Sequence, residues 1–302
     1  METPGRDRLL AEHIRARPHL RDIFQFYEKI EEIWNASHPD DLLPLIDLRD
    51  ASVRGRLSEG IPLVDRPAFA RIPLTQTALQ FRKIITVMKQ GGGEREIYAQ
   101  RISTFMRNSH KPEGEMIGDL LAREDGHFDN VSGVMEVPRP LLVYLLKMSL
   151  RISFERLHET LMTFLREIEW EFPHCPVCGA PPVIGQAISN SRRRYYCFFC
   201  SFHWECQALE GCPSCGETDT EFFNLLYKHP NEHQGILACE TCRTYLKMLD
   251  QRAGPDLINP DIQEVVGLHL DMAAGEMGLR PLGQPAAHAE VIKRAGIDDY
   301  RP

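Results

Sequence analysis

The chain has 302 residues, 43% hydrophobic and 26% charged, with a formal net charge of −8. That length suggests about two domains with at least one substantial core, and no uncharged apolar run approaches the ~20 residues that a membrane-spanning helix needs. The acidic balance argues against a general attraction to nucleic acid phosphates. METPGRDRLLAEHIRARPHL scatters charges through its apolar positions and lacks the continuous run of a secretory signal, so a cytoplasmic location is expected.

Residues 1–172 contain no cysteine and read as a helical domain, because apolar residues recur every three to four positions. Leu20, Ile23, Phe24, Tyr27, Ile30 and Trp34 form one stripe that ends before Pro39. Phe81, Ile84, Ile85 and Met88 form a second, with Thr75 or Thr77 as its N-cap and the triple glycine at 91–93 as its stop. Tyr98, Ile102, Phe105 and Met106 form a third. The longest begins after Pro138 and Pro140 and runs through Leu142, Leu145, Leu146, Ile152, Leu157, Leu161, Leu165 and Ile168, as one long helix or two broken ones. Burial alone produces this period, and no chemistry is assigned to it.

From Pro173 the character changes. Cysteines appear, and the β-prone stretches PPVIGQAI, RRYYC, EFFNLLY and GILAC alternate with turn residues. Cys175 and Cys178 precede a predicted hairpin around Ser189, Asn190 and Ser191, then Cys197 and Cys200. Cys212 and Cys215 precede another around Pro230 to Gly235, then Cys239 and Cys242. This repeat of knuckle, hairpin and knuckle predicts two ribbons, 173–211 and 212–252. Beyond them, 253–302 holds a helix that starts at Asn259 and Pro260 with Ile262, Val265, Val266, His269 and Ala273 on one face, then a loose tail. The fold class is therefore α+β: a helical domain, tandem rubredoxin-like or zinc-ribbon units, and a C-terminal helix.

In a reducing compartment, paired Cys-x-x-Cys motifs favour metal binding over disulfides. Such a turn points two thiolates at one cation, and a small residue after the second cysteine, here Gly179 and Gly216, permits the tight path. The pairs are separated by 18 residues in one unit and 23 in the other, which predicts two tetrathiolate sites. Sequential pairing joins Cys175, Cys178, Cys197 and Cys200 at one metal and Cys212, Cys215, Cys239 and Cys242 at the other; an interleaved cross-brace is the alternative. Structural zinc and rubredoxin-like iron share this sulfur cage, and spacing does not separate them. Cys206 is left over, and His174, His203, His229 and His233 lie near the knuckles.

The run SRRRYY mixes stacking aromatics with positive charge and motivates an alternative reading as a zinc-ribbon nucleic-acid-binding protein. Against it, residues 175–250 hold six Lys or Arg and eight Asp or Glu. No Walker loop, Gly-x-Ser-x-Gly elbow or His-Glu-x-x-His helix occurs, and no catalytic residue is assigned.

CPVCG, CFFCSFHW, CPSC and CETCRTYLK, in that order from Cys175 to about Lys247, resemble the FdhE-type formate dehydrogenase accessory proteins, and IQEVVGLHLDMAAGEMG is similar to the family's C-terminal helix. The resemblance implies a maturation factor, not an enzyme: a cytoplasmic protein needed for active formate dehydrogenase that binds its catalytic subunit before export. It also implies iron at the eight knuckle cysteines, with zinc as the alternative, and marks Trp204 and Thr244 to Lys247 as family positions. Ala208 stands where a basic residue is common in the family, and Cys206 is an addition.

Overall fold

The computed structural model describes residues 18–46, 51–64, 66–123, 125–165, 167–189, 192–207, 211–226, 234–250 and 260–282. The described helices before the first strand are α1 (Arg21–Asn35), α2 (Ala51–Ser58), α3 (Thr75–Gln90), α4 (Gly93–Asn108), α5 (Glu113–Ala122), α6 (Asp125–Met135) and α7 (Arg139–Leu165), with a 3-10 segment at Arg66–Arg71.

In α1 the stripe buries Phe24, Tyr27, Ile30 and Trp34. Ile23, expected on that stripe, is 38% exposed, because one residue turns a helix by about 100° and carries the side chain off the buried face. The predicted cap of α3 is also corrected. Neither Thr75 nor Thr77 caps it; the N-cap position is Leu74, with no side-chain hydrogen bond. Asp40 does the capping instead, accepting from the Gln76 and Thr77 amides at 2.9 and 2.7 Å while its own amide donates to Ser153 Oγ. The glycine run is a corner, with Gly92 and Gly93 in the left-handed region, after which α4 begins at once. Helix α5 lies so close to the Arg66–Arg71 segment that a Cβ on Gly118 would stand 2.7 Å from the Phe69 carbonyl oxygen.

Helix α7 is one unbroken element of 27 residues. All of Leu145 to Leu150 is buried, since α1 and α3 pack on it from one side and the cysteine region from another. Ile168 falls beyond its end.

The strands are β1 (Pro182–Ala187), β2 (Arg192–Cys197), β3 (His203–Gln207), β4 (Phe223–Leu226), β5 (Gln234–Cys239) and β6 (Thr244–Leu249). Each ribbon is an antiparallel meander of three strands, β1–β2–β3 and β4–β5–β6. The two are not merely tandem: β1 pairs parallel with β6, which fuses them into one sheet in the order β3-β2-β1-β6-β5-β4. Gly185 permits that junction, because a Cβ there would lie 2.5 Å from Met248 Sδ. Every residue of β6 is buried. Of the predicted hairpin tips, residues 190–191 and 230–233 lie outside the described residues.

The C-terminal helix is two helices, α8 (Pro260–Val266) and α9 (Leu268–Glu276), with the break at Gly267 beside Lys247. Its buried face is Ile262, Val266, Leu270 and Ala274. The expected face through His269 and Ala273 is therefore displaced by one position, because the break alters the helical phase. Asn259 lies outside the described residues, as does the tail from 283 onward. The start of that tail is ordered rather than loose: β7 (Arg280–Pro281) pairs with β6, and the Leu282 amide donates to the Tyr245 carbonyl.

Charged groups buried under α8 and α9 hold these layers together. Lys147 Nζ, 2% exposed, contacts Asp261 and Glu264 at 3.0 Å each. Arg151 reaches the other Asp261 oxygen at 3.0 Å. From the sheet, Lys247 contacts Asp271 at 2.9 Å, and the Tyr245 hydroxyl donates to the same carboxylate. Burial alone would drive the Lys147 proton off, but Glu264 and Asp261 outweigh it and hold the ammonium above its usual range. Asp261→Ala leaves two buried cations short of a partner and should cost on the order of 3–5 kcal/mol in urea unfolding. Asp40→Ala removes only the α3 cap and should cost about 1–2 kcal/mol in the same assay.

Candidate metal centres

The four knuckles share one local geometry. In the first of each pair the chain closes a tight loop: Gly179 N donates to the Cys175 carbonyl and Gly216 N to that of Cys212, at 2.9 and 2.8 Å. Both glycines have positive φ, 74° and 76°, which explains the small residue after the second cysteine. The second knuckles are the turns of the β2–β3 and β5–β6 hairpins, beginning at the strand-ending Cys197 and Cys239. There the same backbone position is taken by Ser201 and Arg243, at φ 60° and 57°. A left-handed non-glycine residue costs roughly 1–2 kcal/mol, so the closure of the loop outweighs it. No sequence rule marked these two residues.

The fold gathers the cysteines in the sequential arrangement: Cys175, Cys178, Cys197 and Cys200 in one group, Cys212, Cys215, Cys239 and Cys242 in the other, with all sulfurs of a group within 4.8 Å of one another. Sγ–Sγ separations are 3.6 Å for Cys175–Cys200, 3.4 Å for Cys178–Cys197, and 3.6 Å for both Cys212–Cys242 and Cys215–Cys239. A tetrahedron of ~2.3 Å metal–sulfur bonds has edges of about 3.8 Å. The donor sets therefore fit a tetrathiolate ion.

Backbone amides already point at the sulfurs. Phe199 N and Cys200 N lie 3.3 and 3.4 Å from Cys197 Sγ, and Ser214 N lies 3.4 Å from Cys212 Sγ. Burial by itself would raise the Cys197 thiol, yet hydrogen bonds from Cys175, Cys178 and Cys200 and from the Cys200 amide bring it well below the ordinary value. At Cys242 burial is likewise overcome, chiefly by the Thr244 hydroxyl 3.0 Å away, and the thiol is lowered to about 7.

The surroundings of the two clusters differ. Cys175, Cys197 and Cys200 are buried members of the main hydrophobic core, and Cys178 is half-buried. Leu63 N and Val64 N donate to the Pro176 and Val177 carbonyls, stitching the first knuckle to the helical part. Phe199 packs edge-on against Phe154 of α7, and Phe198 lies under the Lys147 ammonium, 5.6 Å from the ring centroid. In the second cluster Cys215 is exposed and Cys242 half-buried, and the half-buried Glu217 accepts from the Thr241 hydroxyl.

Among the described residues none of the other candidates joins either sulfur group. Cys206 is buried in β3, and burial pushes its thiol up to about 12. His174 bonds the Gly60 carbonyl through Nε2, and His203 stacks on Phe202. His229, His233, Ala208 and Ser191 lie outside the described residues. Tyr195 and Tyr196 are only 1% and 6% exposed, and Arg194 pairs with Glu205 at 2.7 Å. The aromatics of SRRRYY are therefore unavailable for base stacking, which weakens the nucleic-acid reading. Trp204 is buried and donates to the Phe172 carbonyl, so its role is to bind β3 to the segment after α7.

No family model matches the chain. Over 128 aligned residues it is 30% identical to a protein FdhE homolog of Haemophilus influenzae, covering 38% of this chain and 40% of the relative. A protein FdhE homolog of Stutzerimonas stutzeri is 34% identical over 134 residues, 42% of each chain. These matches span about two fifths of the length of the curated relatives. The crystal structure of the FdhE protein from Pseudomonas aeruginosa superposes with a TM-score of 0.60 at 17% identity, over 92% of this chain and 93% of that one. The chain is therefore similar in fold to that FdhE protein over nearly its whole length and similar in sequence to FdhE homologs over about two fifths of it.

Proposed function

We propose that the protein is an accessory factor in the maturation of formate dehydrogenase and that its two cysteine clusters each hold one metal ion. The observation that carries this reading is the pair of complete tetracysteine cages in a chain related to FdhE homologues. Four sulfurs close a tetrahedral site and leave no position for substrate. That argues for a scaffold or an electron store and against a hydrolytic centre. The proposed ion is iron, from the family resemblance; zinc fits the same cage, and iron would add one-electron chemistry.

The partner in this proposal is the catalytic subunit of formate dehydrogenase, met in the cytoplasm before export. Among the described residues no helix is long and apolar enough to cross a membrane. In this reading the helical domain 1–172 braces the ribbons 173–211 and 212–252, and within 253–302 the described residues 260–282 clasp the two parts. The second cluster, with its exposed Cys215, is the more accessible face of the scaffold.

A tagged chain is expected to copurify with the catalytic subunit, and a strain lacking the gene should lose most of its formate dehydrogenase activity; unchanged activity would overturn the assignment. Elemental analysis should find two metals per chain. Visible ferric–thiolate bands that bleach on reduction would mark iron, whereas a colourless protein with two zincs would leave the ribbons as scaffold. Cys215→Ser should remove one equivalent while the helical part stays folded. Cys197→Ser should remove the other and destabilise the whole molecule by several kcal/mol, a part of the folding energy that a structural metal supplies.

A further inference from the structure

The two cysteine groups share their ligands but not their cover. In the first, Cys175, Cys197 and Cys200 are 0%, 1% and 1% exposed and belong to the main hydrophobic core. The loop of its leading knuckle is covered too: a Cβ on Gly179 would stand 3.0 Å from Pro62 Cγ, and the next two residues, Leu63 and Val64, donate to the Pro176 and Val177 carbonyls. Cys178 is half-buried and lines a cleft whose walls include Phe69, Phe198 and Phe199. A ligand that met this sulfur would still find the other three enclosed by the core.

The second group has the same loop without the cover. Among the described residues, no heavy atom beyond the chain neighbours lies within 4 Å of a Cβ placed on Gly216. Ser214 and Gly216, on either side of the exposed Cys215, are exposed as well. Cys242 is half-buried, and its sulfur lies within 4.8 Å of that of Cys215. One edge of this tetrahedron therefore faces water, while Cys212 and Cys239 are buried and anchor the opposite edge.

A closed tetrathiolate ion exchanges when an entering donor reaches the metal as one sulfur leaves, which requires an open edge. Where no edge is open the protein itself must open first. The free energy of such opening runs from near zero at exposed loops to the global stability in the core.

We propose that the second cage is an exchange site and the first a permanent one. The second ion loads and unloads across the Cys215–Cys242 edge: the bond from the entering donor to the metal forms as the metal–Cys215 bond breaks, and Cys215 takes up the proton that the donor gives up. The first ion leaves only when the core around α7 opens. The chain thus exchanges metal with thiol or chelator donors at one end of its sheet without unfolding. This inference rests on the reading that each cage holds one ion.

The test mixes the full-length chain, loaded with zinc at both cages, with an excess of 4-(2-pyridylazo)resorcinol, whose colour reports released metal. One equivalent is expected in a fast phase. The other should follow at least about a hundredfold more slowly, at a rate that rises with urea in step with global unfolding. Iodoacetamide added after the fast phase, followed by peptide mass mapping, should label Cys215 and Cys242 and leave Cys175, Cys178, Cys197 and Cys200 unlabelled. Cys215→Ser should lose the fast phase and keep the slow one; if that variant does not fold by circular dichroism, labelling of the unaltered chain decides. Release of both ions in one phase, labelling of the first cluster before the second, or a fast phase that survives in Cys215→Ser would overturn the proposal and leave the two-metal reading intact. A chain that takes up fewer than two zincs overturns both.

Discussion

Two cations in the middle of α7, Lys147 and Arg151, set the terms for the rest of the molecule. They lie where the helix is otherwise packed in apolar side chains, and a buried charge without a partner costs several kcal/mol. Glu155 of α7 itself pairs with Arg151, but the carboxylates that reach them from another element belong to α8: Asp261 touches both cations and Glu264 touches Lys147. Docking of the C-terminal helices is thereby tied to one register. The sheet obeys the same constraint from its other side, where Lys247 of β6 meets Asp271 of α9. One clasp thus fixes the angle between the helices and the sheet, and that angle carries Phe198 and Phe199 onto α7.

The ribbons are two copies of one local plan placed in unlike surroundings. Their knuckles share loop hydrogen bonds, positive φ after the second cysteine and matching sulfur separations. What differs is what lies outside the cage. The first is packed into the core and sewn to residues 63–64; the second shows Cys215 to solvent at the far end of the sheet. Parallel pairing of β1 with β6 joins the ribbons at the centre of the sheet, with β3 and β4 as its edges, and the helices pack against the first ribbon. A low-dielectric cage and an exposed one, built from the same ligands, provide different environments for an ion.

Much of this was legible in the chain itself, and the limits of legibility are physical. Cys-x-x-Cys is a local motif: two sulfurs and the glycine behind them are set by a few consecutive dihedral angles, so all four knuckles could be read from spacing, which favoured the sequential grouping over a cross-brace. Helical stripes are local in the same sense, which is why Phe24, Tyr27, Ile30 and Trp34 were found, and Phe81 through Met88 with them. Contacts between distant residues leave no such mark. Asp40 caps a helix 35 residues downstream, the C-terminal face moved by one position at Gly267, and Tyr195 and Tyr196 turned inward with the sheet. The sequence by itself determined the helices and the two sulfur groups, because each depends on residues within a few turns of chain. Only the tertiary structure decided that the ribbons share one sheet, that one cluster is buried and the other open, and that buried ion pairs tie α7 to α8, because burial and charge pairing are properties of surfaces brought together from afar.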